Sequence, residues 1–190
     1  ASQILEVVPH PGGILVDLGC GPADILVRIF RMTPRFFLLG LDGSKAMLAY
    51  ANERIKREGL ENKIHLIKGD AKKLSFPDDC FDVVISNSIV HHLWDPVPFW
   101  KEVRRVTKPE GIILVRDLCR PDTPEVAWHI VERESGAEPQ LLKNLFFYSL
   151  RASFTIDEIK EQLIRAGLKS LKVRMSSDRH WEAVGARGES

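Results

Sequence analysis

Up to residue 118, short apolar runs alternate with stretches whose apolar residues recur three and four apart. The runs at 13–18, 36–41, 63–68, 81–86 and 111–116 are rich in Val, Ile, Leu and Phe, lack polar alternation, and stop at Gly, Asp or Asn. That pattern predicts strands buried on both faces. Helical spacing predicts helices at 23–32, 44–58 and 96–107. In the second, Ser44 can cap the start, Ala46, Met47, Tyr50, Ala51, Arg54 and Ile55 follow the helical repeat, and Gly59 stands where a helix would stop. Strand and helix in alternation argue for parallel strands joined by right-handed crossovers, with helices on both faces of the sheet.

After Cys119 the rhythm breaks. Residues 119–152 hold Pro121, Pro124 and Pro139, the aromatics Trp128, Phe146, Phe147 and Tyr148, and two short helical patterns outside the repeat. They read as an insertion lying over the carboxyl edge of the sheet. Order returns with a helix at 155–166, where Thr155 and Glu158 have capping-box spacing and Gly167 ends the element. Segments 168–175 and 180–186 then read as two final strands joined by a Ser-Ser-Asp turn.

A chain of 190 residues with 44% hydrophobic content can bury one substantial core and is short for two. We therefore expect a single domain over 1–190, with 119–152 as a helical lid. Lys plus Arg (27) and Asp plus Glu (26) nearly cancel, so no global field would hold the chain on nucleic acid or an anionic membrane. Cys20, Cys80 and Cys119 are odd in number and lack the paired spacing of a zinc site or disulfide framework, which suits a reducing cytoplasm and no metal. No run approaches the roughly 18 apolar residues of a membrane span, and the first residues lack a basic region followed by an apolar one. A soluble, cytoplasmic protein is expected.

Candidate chemistry gathers at strand ends. Val16-Asp17-Leu18-Gly19-Cys20-Gly21-Pro22-Ala23 follows the first strand and opens the first helix. Its glycines permit a sharp turn and close approach of a ligand to bare peptide groups, and the helix start offers N–H donors. A tight turn without a ligand would use the same glycines. Asp42 follows the second strand, about 20 residues beyond the loop, where a carboxylate can accept hydrogen bonds from ribose hydroxyls. A helix cap is the alternative, for which Ser44 competes. Loop and acid together favour an adenosine-containing cofactor. Gly69-Asp70-Ala71 follows the third strand, where a carboxylate can reach an adenine amine; a solvated turn aspartate is the alternative.

These segments, together with Phe81-Asp82-Val83-Val84-Ile85-Ser86-Asn87 and Glu102-Val103-Arg104-Arg105-Val106-Thr107-Lys108-Pro109-Glu110-Gly111, resemble in order and spacing the class I S-adenosylmethionine-dependent methyltransferases. The resemblance is strong over 13–118 and is greatest to the broad type 11 small-molecule group, which includes quinone-biosynthesis enzymes. It implies a Rossmann-like α/β sheet of about seven strands in the order 3-2-1-4-5-7-6, mostly parallel with an antiparallel last strand. It implies S-adenosylmethionine as cofactor, S-adenosylhomocysteine as product and a small-molecule methyl acceptor. Asp17, Gly19, Cys20 and Gly21 would line the methionine half, Asp42 with Gly43 the ribose, and Asp70 with Ala71 the adenine, against whose face Met47 could pack. Asn87 and Ser88 would approach the amino group and the methyl. Ala23 replaces a common third glycine, and Glu110 a glycine usual before Gly111.

Methyl transfer asks the protein to position two reactants and exclude water, with a base only where the acceptor must lose a proton. His91 and His92 follow the fourth strand at the relevant edge and are the candidates; alternatively one packs under the insertion and the other is solvated. Tyr148 and Arg151 could reach the acceptor, whereas Phe146 and Phe147 are expected to anchor the lid. Trp94 and Trp100 sit at core-like spacing. Nothing pairs Cys20 with a base. A nicotinamide-dependent dehydrogenase would be expected to show Gly-x-Gly-x-x-Gly and a Tyr-x-x-x-Lys pair, both lacking here. A non-catalytic module with the same fold would keep the cofactor loop. Base-amine methylation is disfavoured because Ser86-Asn87-Ser88-Ile89 replaces an Asn/Asp-Pro-Pro-aromatic motif. The first strand begins about a dozen residues in, where many relatives carry extra helices. This predicts an open pocket, a lid completed by a second subunit in a homodimer, or a trimmed start.

Overall fold

The computed structural model describes residues 12–188; the single-domain expectation over 1–190 extends beyond them at both ends. The elements run β1 (Gly13–Leu18), α1 (Asp24–Met32), β2 (Phe36–Asp42), α2 (Lys45–Arg57), β3 (Ile64–Lys68), β4 (Phe81–Asn87), a single 3-10 turn (Val90–His92), α3 (Val97–Val106), β5 (Thr107–Leu118), α4 (Pro124–Ser135), α5 (Gln140–Ala152), α6 (Ile156–Arg165), β6 (Lys172–Ser177) and β7 (His180–Ala186). The strands form one sheet in the order β3-β2-β1-β4-β5-β7-β6. β1 to β5 pair in parallel, and β7 runs antiparallel to both of its neighbours, as the motif resemblance implied.

The strands lack polar alternation because each face meets its own helical layer. Leu15, Leu38 and Val83 join Leu26 and Ile29 of α1 and Ala51 and Ile55 of α2 in one core. Their neighbours Val16, Leu39 and Val84 join Phe99, Trp100 and Val103 of α3 and Ile159 and Leu163 of α6 in the other. α6 opens with the expected capping box: the Thr155 hydroxyl accepts from the Glu158 N–H at 3.3 Å, and the Glu158 carboxylate accepts from the Thr155 N–H at 2.8 Å.

Several expected boundaries move. Thr107 starts β5 rather than ending α3, and its hydroxyl donates back to the Val103 carbonyl at 2.5 Å. β6 starts at Lys172, because Leu168 and Leu171 are buried in the turn after α6 instead of extending a strand. On α2 the inward face is Ala51 and Ile55, leaving Met47 and Tyr50 exposed. Trp100 is core, its indole N–H donating to the Gln162 side chain at 3.0 Å, but Trp94 is fully exposed (101%), against its core-like spacing. Spacing failed there because Trp94 precedes the helix whose periodicity was extended to it.

The two helical patterns of the insertion are α4 and α5, which pack on each other, and α5 also packs on the 3-10 turn. Leu118, Ala127, Ile130, Val131 and Leu150 make a third core, with Phe146 and Phe147 packed against it. Among the described residues, no helix is long and apolar enough to cross a membrane, and no group of three or more His, Cys, Asp or Glu could hold a metal ion.

Candidate functional site

The carboxyl tips of β1, β2, β3 and β4 surround a cleft of about 630 Å³. Gly19, Asp42, Gly43, Asp70 and Ala71 line it from the first three tips, with Leu41, Lys68 and Gly69 between them. Ile89, His92 and Leu93, beyond β4, close the other side. Five of the expected cofactor residues thus meet at one place although they span more than 50 positions of chain. Met47 lies outside this lining, as do Asp17, Cys20, Gly21, Asn87 and Ser88.

The loop after β1 is held by its own backbone. The N–H groups of Gly19 and Cys20 both donate to the Leu41 carbonyl, at 2.7 and 3.0 Å, tying the loop to β2. Gly19 has φ 77°, and a Cβ there would stand 2.2 Å from Ile89 Cγ2, so side chains are excluded sterically and conformationally. Ala23 occupies the left-handed region at φ 61°, which explains why a glycine is common at that position. As N-cap of α1 it supplies no side-chain acceptor to the first turn. Ser88 is also left-handed, at φ 61°, at the tip of β4, where its hydroxyl accepts from the Asn87 side-chain amide at 3.0 Å.

Two aspartates stand at adjacent tips in opposite electrostatic conditions. Asp42 has both oxygens engaged by backbone: Oδ2 accepts from the Gly21 N–H at 2.9 Å and Oδ1 from the Ser44 N–H at 2.7 Å. Ser44, not Asp42, caps α2, accepting from the Met47 N–H at 3.3 Å. Asp17 is 1% exposed and neither of its oxygens has a hydrogen-bond partner. Burial, with the Asp42 charge second, raises its carboxyl to about 7. Burial also pushes the Cys20 thiol up, with Asp17 and Asp42 adding to it, which removes it as a nucleophile at neutral pH.

The two histidine candidates part company. His91 Nδ1 lies 2.6 Å from Asp117 Oδ1, the His91 N–H donates to Asp117 Oδ2 at 3.1 Å, and the Leu118 N–H donates to Oδ1 at 2.6 Å. Asp117 is fully buried, so this carboxylate pins the 3-10 turn to the end of β5. Its role was missed in the sequence; its position at the carboxyl end of a strand beside β4 was the available signal. His92, its ring centroid 4.0 Å from that of His91, lines the cleft. Burial, then the neighbouring His91, lowers its imidazole below the ordinary value of 6.5, with Asp117 opposing. A neutral imidazole at the cleft wall can accept a proton. Tyr148 is exposed on α5.

The bare glycine turn, the tethered Asp42 and the unpartnered buried carboxylate of Asp17 together fit an adenosyl ligand carrying a charged amino acid. The comparisons with known proteins agree with this geometry. A family model described as a methyltransferase domain matches residues 9–167, and the chain belongs to that family. An uncharacterised methyltransferase of Schizosaccharomyces pombe is 33% identical over 122 residues, covering 62% of this chain and 44% of that protein. A demethylmenaquinone methyltransferase of Geobacillus stearothermophilus is 36% identical over 107 residues, covering 56% of this chain and 45% of that protein. The chain thus spans under half the length of these curated relatives. A SAM-dependent methyltransferase from Aquifex aeolicus shares the fold at TM-score 0.71 and 18% identity, over 96% of this chain and 87% of that one. So does geranyl diphosphate C-methyltransferase from Streptomyces coelicolor, solved with S-adenosyl-L-homocysteine, at TM-score 0.72 and 13% identity, over 98% and 78%.

Proposed function

We propose that the chain binds S-adenosylmethionine in this cleft and transfers its methyl group to a small-molecule acceptor by in-line displacement. The observation that carries the reading is the convergence of the Gly19 turn, Asp42 and Asp70 on one cleft. The cofactor, when bound, supplies an electrophilic methyl on a sulfonium whose charge is lost on transfer. Asp42, with Gly43 beside it, holds the ribose hydroxyls; Asp70 and Ala71 bracket the adenine, with Met47 near its face. Asp17, Gly19, Cys20 and Gly21 take the methionine half, and Asn87 and Ser88 border the path of the methyl. His92 takes a proton from acceptors that must lose one, with His91 holding the turn from which it projects.

Residues 119–152 act as the lid of a single domain, excluding water over the reacting groups. A small-molecule acceptor of quinone or sterol type is supported by the relatives, among them demethylmenaquinone methyltransferases and a sterol 24-C-methyltransferase. The near-neutral charge favours neither nucleic acid nor a membrane surface, and fits a cytoplasmic protein, with a homodimer as the means of completing an open lid. Incubation with methyl-labelled cofactor and a metabolite extract, followed by mass spectrometry, tests transfer. Label appearing in a small molecule supports it; uptake of S-adenosylhomocysteine with no labelled product favours a non-catalytic module.

A further inference from the structure

A polar row crosses the carboxyl end of the sheet beside the cleft. Asn87 of β4 pairs in register with Arg116 of β5, Arg116 with Glu182 of β7, and Glu182 with Arg174 of β6. Strand alternation puts these residues on the face that carries Ile85, Leu114 and Val184 one row below and Leu118, the floor of the lid core, one row above. Polar groups between apolar rows need partners. Glu182, 2% exposed, receives Arg174 on Oε1 at 2.6 Å, and its Oε2 is buried without a hydrogen bond. The Arg116 guanidinium makes no hydrogen bond or ion pair among the described residues, and its Nε is buried. Its charge is felt all the same: burial, then Arg116 and Arg179, lowers the His180 imidazole to about 4, with Asp117 and Asp178 opposing. Arg116 does not line the cofactor cleft. It lies one strand beyond β4, about 5 Å across the sheet, and the Ser88 N–H donates to its carbonyl at 2.9 Å.

We propose that Arg116 selects the methyl acceptor by binding an anionic oxygen on it, a carboxylate or comparably acidic hydroxyl distinct from the atom that is methylated. The proposal rests on the methyl-transfer reading above and narrows its acceptor class. A planar guanidinium offers paired N–H groups that match a carboxylate, and a half-buried one without a partner gains most from such a ligand. Its place beside Asn87 and Ser88 sets a bound acceptor next to the path of the methyl. Glu182 does not compete for the cation, because Arg174 already answers its charge; its bare Oε2 can accept a hydroxyl proton from the same acceptor.

The test titrates the whole chain, with and without saturating S-adenosylhomocysteine, with benzoate and with its uncharged isostere benzamide. Benzoate should bind about tenfold tighter or more, the margin expected of a charged hydrogen-bonded pair. Arg116→Met, which keeps the apolar stem, should lose this margin while S-adenosylhomocysteine affinity changes less than about threefold, and Arg116→Lys should keep part of it. With methyl-labelled cofactor and a metabolite extract, the product labelled by the wild type should be retained on an anion exchanger at pH 8, and Arg116→Met should label it about tenfold less. Benzoate bound no tighter than benzamide by the folded wild type, or a labelled product with no anionic group, overturns the proposal even if Arg116→Met fails to fold. A margin that survives in folded Arg116→Met, or labelling equal to that of the wild type, overturns it as well. Failure of the wild type to take up S-adenosylhomocysteine, with the benzoate margin intact, refutes the cofactor reading instead and leaves the anion site standing.

Discussion

The cleft has two walls made in different ways. On the cofactor side, the tips of β1, β2 and β3 place Gly19, Asp42 and Asp70 through backbone geometry: a left-handed glycine, a carbonyl of Leu41 that collects two N–H groups, and a carboxylate fixed by Gly21 and Ser44. On the opposite side, the 3-10 turn that carries His92 is held by the buried Asp117 pair and by α5, which packs with α4 on Leu118. Backbone-built sites depend on local sequence, whereas packed ones depend on residues far away in the chain. On the function proposed above, the first wall suits a fixed cofactor and the second can vary with the acceptor without disturbing the first.

The contrast can be broken most severely at Gly19. Gly19→Ala should cost about 3 kcal/mol by chemical denaturation, from left-handed strain plus the clash with Ile89, and should abolish cofactor uptake. Asp17→Asn acts in the opposite direction. Because folding raises the Asp17 value from 3.8 to about 7, the wild type loses stability as pH climbs through that window. The asparagine variant should lack this slope and be more stable at pH 8 by about 2–3 kcal/mol, the advantage shrinking towards pH 4. Thermal or urea melts across pH read both.

How far the two walls were legible in the sequence follows the same division. Gly19, Asp42 and Asp70 lie at the ends of apolar runs, so strand prediction placed them, and the sheet order came with the motifs. The capping box at Thr155 was also local and was found. Asp117 was not, because its partner His91 is 26 residues away and only its place at a strand's carboxyl end hinted at a role. Trp94 was read as core because spacing carries no information beyond the end of a helix. On α2, Ala51 and Ile55 set the rotation of the helix and leave Met47 exposed.

Smaller effects should separate the walls. Asp117→Ala leaves the buried N–H groups of His91 and Leu118 without an acceptor and should cost about 2 kcal/mol, while S-adenosylhomocysteine affinity in the folded variant changes less than about threefold. A large loss of cofactor affinity would mean that the walls are coupled. Trp94→Ala, at a fully exposed site, should shift stability by no more than about 0.5 kcal/mol. Any marked change in acceptor KM for that variant would place Trp94 on the acceptor path.

The central claim is that three strand tips form one adenosyl-binding cleft, and titration of S-adenosylhomocysteine into the wild type and Asp42→Ala tests it most directly, with melts recorded to confirm that both are folded. The account predicts saturable binding by the wild type, none with NAD, and a loss of about 10–100-fold in the variant, as expected for removal of a charged hydrogen-bonding group. Equal affinity in the two proteins would contradict it.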